Sequence, residues 1–275
     1  MNPSPAEPAW SRMAERYDEA AFTFEPFAEA LVEAAQVGEG DKVLDVGCGT
    51  GISTFPAAAR AGCAVGLDLA EPMLRAAARK ALGLPGQVGF VQGTAEALPF
   101  PAGVFDVALC NFGPHLFAHP PQGLREMARV LRPGGRLAVT VPAPQHVEEW
   151  VDRFLAVLAR EGLLHEFLAQ GPLRSSRERV TQMLAAAGLD QALIAEKIVR
   201  FPLTSAAQYA DLLAARGAKN RMLRRLPEAV RERLWQATVV DLEHYAVGSI
   251  AMTCACFVIS WTKRDPRVER SVNHA

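Results

Sequence analysis

Between residues 43 and 142 the apolar positions gather in short unbroken runs: Val43–Val46, Ala64–Leu69, Val88–Gln92, Val104–Cys110 and Arg136–Val141. Runs of this length, bounded by glycine, proline or an acid, read as strands. Between them lie stretches with helical spacing, at Ile52–Ala61, Glu71–Leu82 and Gln122–Leu131. Pro72 suits a first helical turn and Gly83 a C-terminal cap, while Arg132-Pro133-Gly134-Gly135 stops the third helix. Strict alternation of strand and helix predicts right-handed crossovers and a parallel sheet covered on both faces.

The flanks differ. After a proline-rich start, Trp10–Tyr17 and Pro26–Gln36 predict two helices, the second carrying Phe27, Ala30, Leu31 and Ala34 on one side and ending at Gly38 and Gly40. Beyond Pro142, helices are expected at Val147–Glu161, from a Ser175-x-x-Glu178 capping box to Ala187, at Ser205–Arg216 and at Pro227–His244. Leu193–Phe201 and Ile250–Trp261 supply a sixth and a seventh strand. The organisation expected is N-terminal helices over residues 1–37 contributing to a lid, a core over 38–145, and completion of the sheet over 146–275. Helical insertions at about 146–170 and 204–245 are expected to cap the ligand-binding edge. Their apolar side chains, Phe154, Phe167, Leu168, Tyr209, Leu212, Leu213 and Trp235, read as core before they read as substrate lining.

The run Val43-Leu44-Asp45-Val46 leads into Gly47-Cys48-Gly49-Thr50-Gly51, and a helix follows. Glycines at that junction allow positive φ and let a ligand approach backbone N–H groups near a helix N-terminus. The spacing is not that of a nicotinamide dinucleotide loop, because the third glycine of G-x-G-x-x-G falls on Ile52. No G-x-x-x-x-G-K-S/T loop for a nucleoside triphosphate occurs.

Composition narrows the classes further. The chain has 275 residues, 50% hydrophobic and 21% charged, with a formal net charge of -1, which leaves no electrostatic footprint for nucleic acid. The arginines at 221, 224, 225, 231 and 233 are interspersed with Glu228 and Glu232 and read as a solvated face. Five cysteines in apolar settings, without a C-x-x-C pair, read as buried thiols of a reducing compartment. The start lacks a signal-peptide pattern and no apolar stretch is long enough to span a bilayer, so a cytoplasmic protein without stable membrane insertion, monomer or homodimer, is expected. No H-E-x-x-H and no cysteine quartet suggests a metal site.

Four stretches, in order, resemble the class I S-adenosylmethionine-dependent methyltransferases, and in particular the branch of the ubiquinone and menaquinone biosynthesis methyltransferases. They are Asp45 with Gly47, Gly49 and Gly51; Asp68, 23 positions later; Gly93-Thr94-Ala95-Glu96-Ala97-Leu98-Pro99-Phe100; and Arg125-Glu126-x-x-Arg129-Val130-Leu131-Arg132-Pro133-Gly134-Gly135. The resemblance covers about residues 10–142. It implies an α/β, Rossmann-like fold with a mostly parallel seven-stranded sheet flanked by helices, and a helical cap. It also implies binding of S-adenosylmethionine, with S-adenosylhomocysteine as product, and methylation of O, N or C in a small hydrophobic or aromatic acceptor. The cofactor residues it implies are Asp45, Gly47, Cys48, Gly49, Gly51, Asp68 on the ribose, Leu69, Met73, the adenine turn Thr94, Ala95 and Glu96, and Asn111. Tyr17 matches a tyrosine that reaches the cofactor's carboxylate, with core packing as the alternative. The family usually has aspartate where Thr94 stands; a hydroxyl, or the Ala95 backbone N–H, must then serve adenine.

A proton on the acceptor calls for a base, and His115, in Asn111-Phe112-Gly113-Pro114-His115, lies nearest the reaction edge in sequence. His119, His146, His244 and Tyr245 are further candidates. A positioning role is the alternative for His115. A non-methylating enzyme that binds the same cofactor, such as a cyclase, and an inactive regulatory protein stay open beside the methyltransferase reading.

Overall fold

A computed structural model describes residues 11, 14, 17–84, 86–144, 148–165, 175–208, 226–245 and 250–265. Its seven strands are β1 (Val43–Val46), β2 (Cys63–Asp68), β3 (Gln87–Gln92), β4 (Phe105–Cys110), β5 (Leu131–Pro142), β6 (Leu193–Leu203) and β7 (Ile250–Thr262), in the sheet order β3-β2-β1-β4-β5-β7-β6. The first five are parallel; β7 is antiparallel to both β5 and β6. Each of β2 to β5 follows the preceding strand through a crossover connection, as the alternating pattern predicts. β6 and β7 pair along their whole lengths, from Leu193↔Ser260 to Leu203↔Ile250.

The helices are α1 (Glu25–Ala34), α2 (Thr54–Ala61), α3 (Glu71–Ala81), α4 (Pro120–Val130), α5 (Glu148–Arg160), α6 (Arg177–Ala187) and α7 (Glu228–Tyr245), preceded by a 3-10 helix at Tyr17–Thr23. Period-two alternation along the strands divides the core between two faces. Leu44, Val46, Cys110, Val139, Phe257 and Ile259 join Leu124 and Met127 of α4 and Leu184 of α6. Val43, Val107, Leu109 and Ala138 meet Leu31 and Val32 of α1 and the small Ala57, Ala58 and Ala61 of α2. Further along that second face, Cys254, Cys256 and Val258 of β7 pack on Phe154 and Leu158 of α5, on Leu234 and Leu242 of α7, and on Phe27.

Local details depart from the sequence pattern where caps and bulges intervene. The cap of α6 is Ser176, whose Oγ accepts the Arg179 N–H at 3.3 Å, and not Ser175, whose own N–H goes to the Pro142 carbonyl. Helix α3 ends with Leu82 in extended conformation. Arg132–Gly135 is not a free turn but lies within β5, where the register with β4 shifts between the pairs Phe105↔Leu131 and Val107↔Arg136. The expected helix over residues 209–216, most of residues 10–16, and Phe167, Leu168, Tyr209, Leu212, Leu213, His146, Arg221, Arg224 and Arg225 fall outside the described residues.

Lys263 closes the C-terminus of α4. Its Nζ donates to the carbonyls of Ala128 at 2.9 Å, Arg129 at 3.4 Å and Leu131 at 2.7 Å. Those carbonyls lack helical partners and sit at the negative end of the helix dipole. Lys263→Met should therefore lower unfolding stability by about 2 kcal/mol. Urea denaturation measures it; an unchanged midpoint would show that water replaces the ammonium without cost.

Candidate functional site

Adjacent strands β1 and β4 send their connections to opposite sides, one towards β2 and one towards β5, so a crevice opens beyond their carboxyl ends. A cavity of about 180 Å3 occupies it. Four strand ends line it in turn: Gly47 and Gly49 after β1, Leu67, Asp68 and Leu69 at β2, Gly93, Thr94, Ala95 and Glu96 after β3, and the segment after β4. That last segment supplies Asn111, Phe112, Gly113, Leu116, Phe117 and Ala118, and Tyr17 and Met73 complete the lining.

The glycine loop is shaped by its backbone. Gly47, Gly49 and Gly51 have φ of 72°, 54° and 94°. A side chain at 51 would also meet the Phe55 ring at 2.5 Å, so only glycine fits there. The N–H groups of Gly47 and Cys48 both turn back to the Leu67 carbonyl, and the Gly49 N–H donates to Asp68 Oδ2 at 2.8 Å. Asp68 Oδ1 accepts from the Ala70 N–H at 2.9 Å. The carboxylate thus ties the loop to the end of β2 while each oxygen keeps a lone pair. Burial pushes the Asp68 pKa up, opposed by the backbone N–H groups of Ala70, Gly49 and Leu69.

Asp45 lies behind the loop. It is 1% exposed and faces α2, where the Thr54 hydroxyl donates to Oδ2 at 2.6 Å. Its Oδ1 and the Ser53 hydroxyl oxygen have no hydrogen-bond partner among the described residues. Burial pushes its carboxyl up to about 7, against the Thr54 hydrogen bond and with help from the Asp68 charge.

The N-terminal segment closes one side. Thr50 donates to Asp18 at 2.6 Å, and Lys80 reaches the same oxygen at 2.9 Å. Tyr17 is thereby held over Gly49, where a Cβ would lie 3.8 Å from its ring. An aromatic series runs from Tyr17 stacked on Phe24, through Phe24 against Phe112, to Phe112 edge-on to Phe27 at 5.3 Å. Phe112 takes φ 51°, uncommon for a bulky residue. Thr140 secures it, accepting the Phe112 N–H at 2.8 Å and donating to Asn111 Oδ1 at 2.7 Å.

The motif on α4 has a structural task. Glu126 accepts the Leu98 N–H at 2.9 Å, and Arg129 donates to the Phe100 and Leu98 carbonyls, pinning the segment after β3 to the helix.

Of the residues singled out in the sequence, Tyr17, Gly47, Gly49, Asp68, Leu69, Met73, Thr94, Ala95, Glu96 and Asn111 come together in the lining. Asp45, Cys48, Gly51 and His115 stand outside it. His115 belongs to the loop that supplies Gly113 and Leu116, but its side chain is exposed; the protein crowded around it pushes its pKa down to about 4. Phe112, Leu116 and Phe117 were not singled out as lining; the Gly113-Pro114 pair after β4 was the available signal for a loop there. The expected cap helices α5 and α7 pack on one another and on β7, and none of their described residues lines the cavity. Among the described residues no group of three or more His, Cys, Asp or Glu could hold a metal ion. No helix there is long and apolar enough to cross a membrane.

Comparison with known proteins agrees with this geometry. Residues 43–135 match the family described as methyltransferase domain. The chain is 37% identical over 184 residues to a nocamycin O-methyltransferase of Saccharothrix syringae, covering 64% of each chain. It is 44% identical over 110 residues to a demethylmenaquinone methyltransferase of Mycolicibacterium vanbaalenii, covering 40% of this chain and 46% of the relative. The match thus spans less than two thirds of either relative. Among solved structures, the 4+2 cyclase SpnF superposes with a TM-score of 0.55 at 26% identity, over 88% of this chain and 81% of that one. The glycine loop, the acid ending β2 and the turn after β3 all fall within residues 43–135, and that region is a methyltransferase domain similar to those of S-adenosylmethionine-dependent methyltransferases of class I.

Proposed function

We propose that this protein transfers a methyl group from S-adenosylmethionine to an oxygen, nitrogen or carbon of a small hydrophobic or aromatic metabolite. The observation that carries the reading is that one cavity is lined both by Gly47, Gly49 and Asp68 and by the apolar Phe112, Leu116 and Phe117. The first set fits a nucleoside: two glycines leave the cradle free of side chains, and Asp68 offers lone pairs for two ribose hydroxyls. In the same reading Tyr17, Leu69, Met73, Thr94, Ala95, Glu96 and Asn111 contact the cofactor. Asp45, Cys48 and Gly51 act from behind, by shaping the loop. S-adenosylmethionine supplies the methyl group and the leaving group together. The chain's residues then have to orient an acceptor in line and keep water out, tasks suited to Phe112 and Phe117.

Calorimetric titration tests the reading. S-adenosylmethionine and S-adenosylhomocysteine should bind in the micromolar range and NAD should not. A folded protein that binds neither sulfur nucleoside would overturn it. The likeness to a cyclase supports a second reading, turnover without methyl transfer, and release of S-adenosylhomocysteine during turnover separates the two.

The role of His115 can be tested in the same assay. Its depressed pKa keeps the imidazole neutral at pH 7, as a base requires, yet its side chain lies outside the lining. His115→Ala should leave cofactor affinity unchanged and turnover within about threefold of wild type. A larger fall in kcat, greatest above the His115 pKa and shrinking on the acid side of the profile, would assign it the proton.

A further inference from the structure

Thr94 and Glu96 both line the cavity and are joined to one another, the Thr94 hydroxyl donating to Glu96 Oε2. Resting on the nucleoside reading of the site, we propose that this pair recognises the exocyclic amino group of adenine. Glu96 is a positioning residue that acts through Thr94 and turns its hydroxyl into an acceptor only.

A free threonine hydroxyl rotates, accepting from an amino group or donating to an oxo group. Here the proton is committed. An ionised carboxylate has no proton to give, so charge settles the direction of the bond. Burial pushes the Glu96 carboxyl up, but the Thr94 hydroxyl and the N–H groups of Glu96, His119 and Ala118 outweigh it and hold the group below its usual range. Oε1 accepts the Ala118 N–H at 2.8 Å and the His119 N–H at 3.3 Å, which keeps the side chain from swinging away. The turn itself is pinned by the Thr94↔Ala97 bridge and by the Leu98 N–H on Glu126. Position agrees with the assignment. Asp68 pairs with Gln92 across β2 and β3, so a ribose on Asp68 places its base beside the residues that follow Gln92. The negative charge of Glu96, two positions after Thr94, thus reaches the ligand through a hydroxyl.

The test is a ratio of affinities, read by calorimetry without turnover: S-adenosylhomocysteine against its 6-oxo counterpart, S-inosylhomocysteine. Wild type should prefer the amino form. Glu96→Gln should lower that preference about tenfold, because an amide can donate to the Thr94 oxygen and free its proton for the 6-oxo group. Thr94→Val should lower it by about the same factor, and Thr94→Asp combined with Glu96→Gln should restore it. A merely structural role for Glu96 would weaken both ligands alike and leave the ratio unchanged. An unchanged ratio in Glu96→Gln or in Thr94→Val overturns the proposal, as does a wild type that binds both forms equally. A wild type that binds neither removes the nucleoside reading itself, and this inference with it.

Discussion

Asp45→Asn should remove a pH dependence of stability worth about 4 kcal/mol between pH 4 and pH 8. The sign follows from the direction of the shift. Burial raises the folded-state pKa of Asp45 from 3.8 to about 7, so between those values the folded protein holds a proton that the unfolded chain has released. The contribution is fully present below about pH 4 and is lost as pH rises through 7. Asparagine cannot ionise and still accepts from the Thr54 hydroxyl. The variant should match wild type within about 1 kcal/mol at pH 4 and exceed it by about 4 kcal/mol at pH 8. His115 acts in the opposite direction. Its depressed pKa favours stability above about 6.5, lost as pH falls through 4, an effect reduced by its exposure and common to both proteins. Denaturant titrations of the two proteins across this range measure the difference. Parallel profiles would mean that water or a neighbouring donor stabilises the ionised Asp45.

Asp68→Ala should weaken S-adenosylmethionine binding about 100-fold, close to 3 kcal/mol. Two losses combine. The ribose hydroxyls lose a charged acceptor, and the N–H groups of Gly49 and Ala70 lose the carboxylate that holds the loop against β2. The second loss also costs stability, by about 1 to 2 kcal/mol. Calorimetry and denaturation on the same variant separate the contributions: affinity unchanged despite a stability loss would leave Asp68 as a loop tie and remove it from the proposed ligand contacts.

Local pattern was enough for the alternation of strand and helix over residues 43–142, for the glycine loop and for the acid that ends β2. Each of these is encoded in neighbouring residues: an unbroken apolar run, glycines where φ turns positive, a carboxylate at a strand end. Most of the proposed cofactor contacts follow directly, because parallel crossovers bring successive strand ends to one edge of the sheet. Long-range packing settled the rest. Nothing near Asp45 in sequence announces that its Oδ1 finds no partner among the described residues, since that depends on how α2 covers β1. Nor does the spacing of Thr94 and Glu96 reveal that the loop after β4 folds back to hold the carboxylate. The apolar helices α5 and α7 read as core before substrate lining, but periodicity reports that a face is buried and not against what. Their packing on β7, and the exposure of His115 beside a loop that lines the cavity, are decided by contacts between segments far apart in the chain.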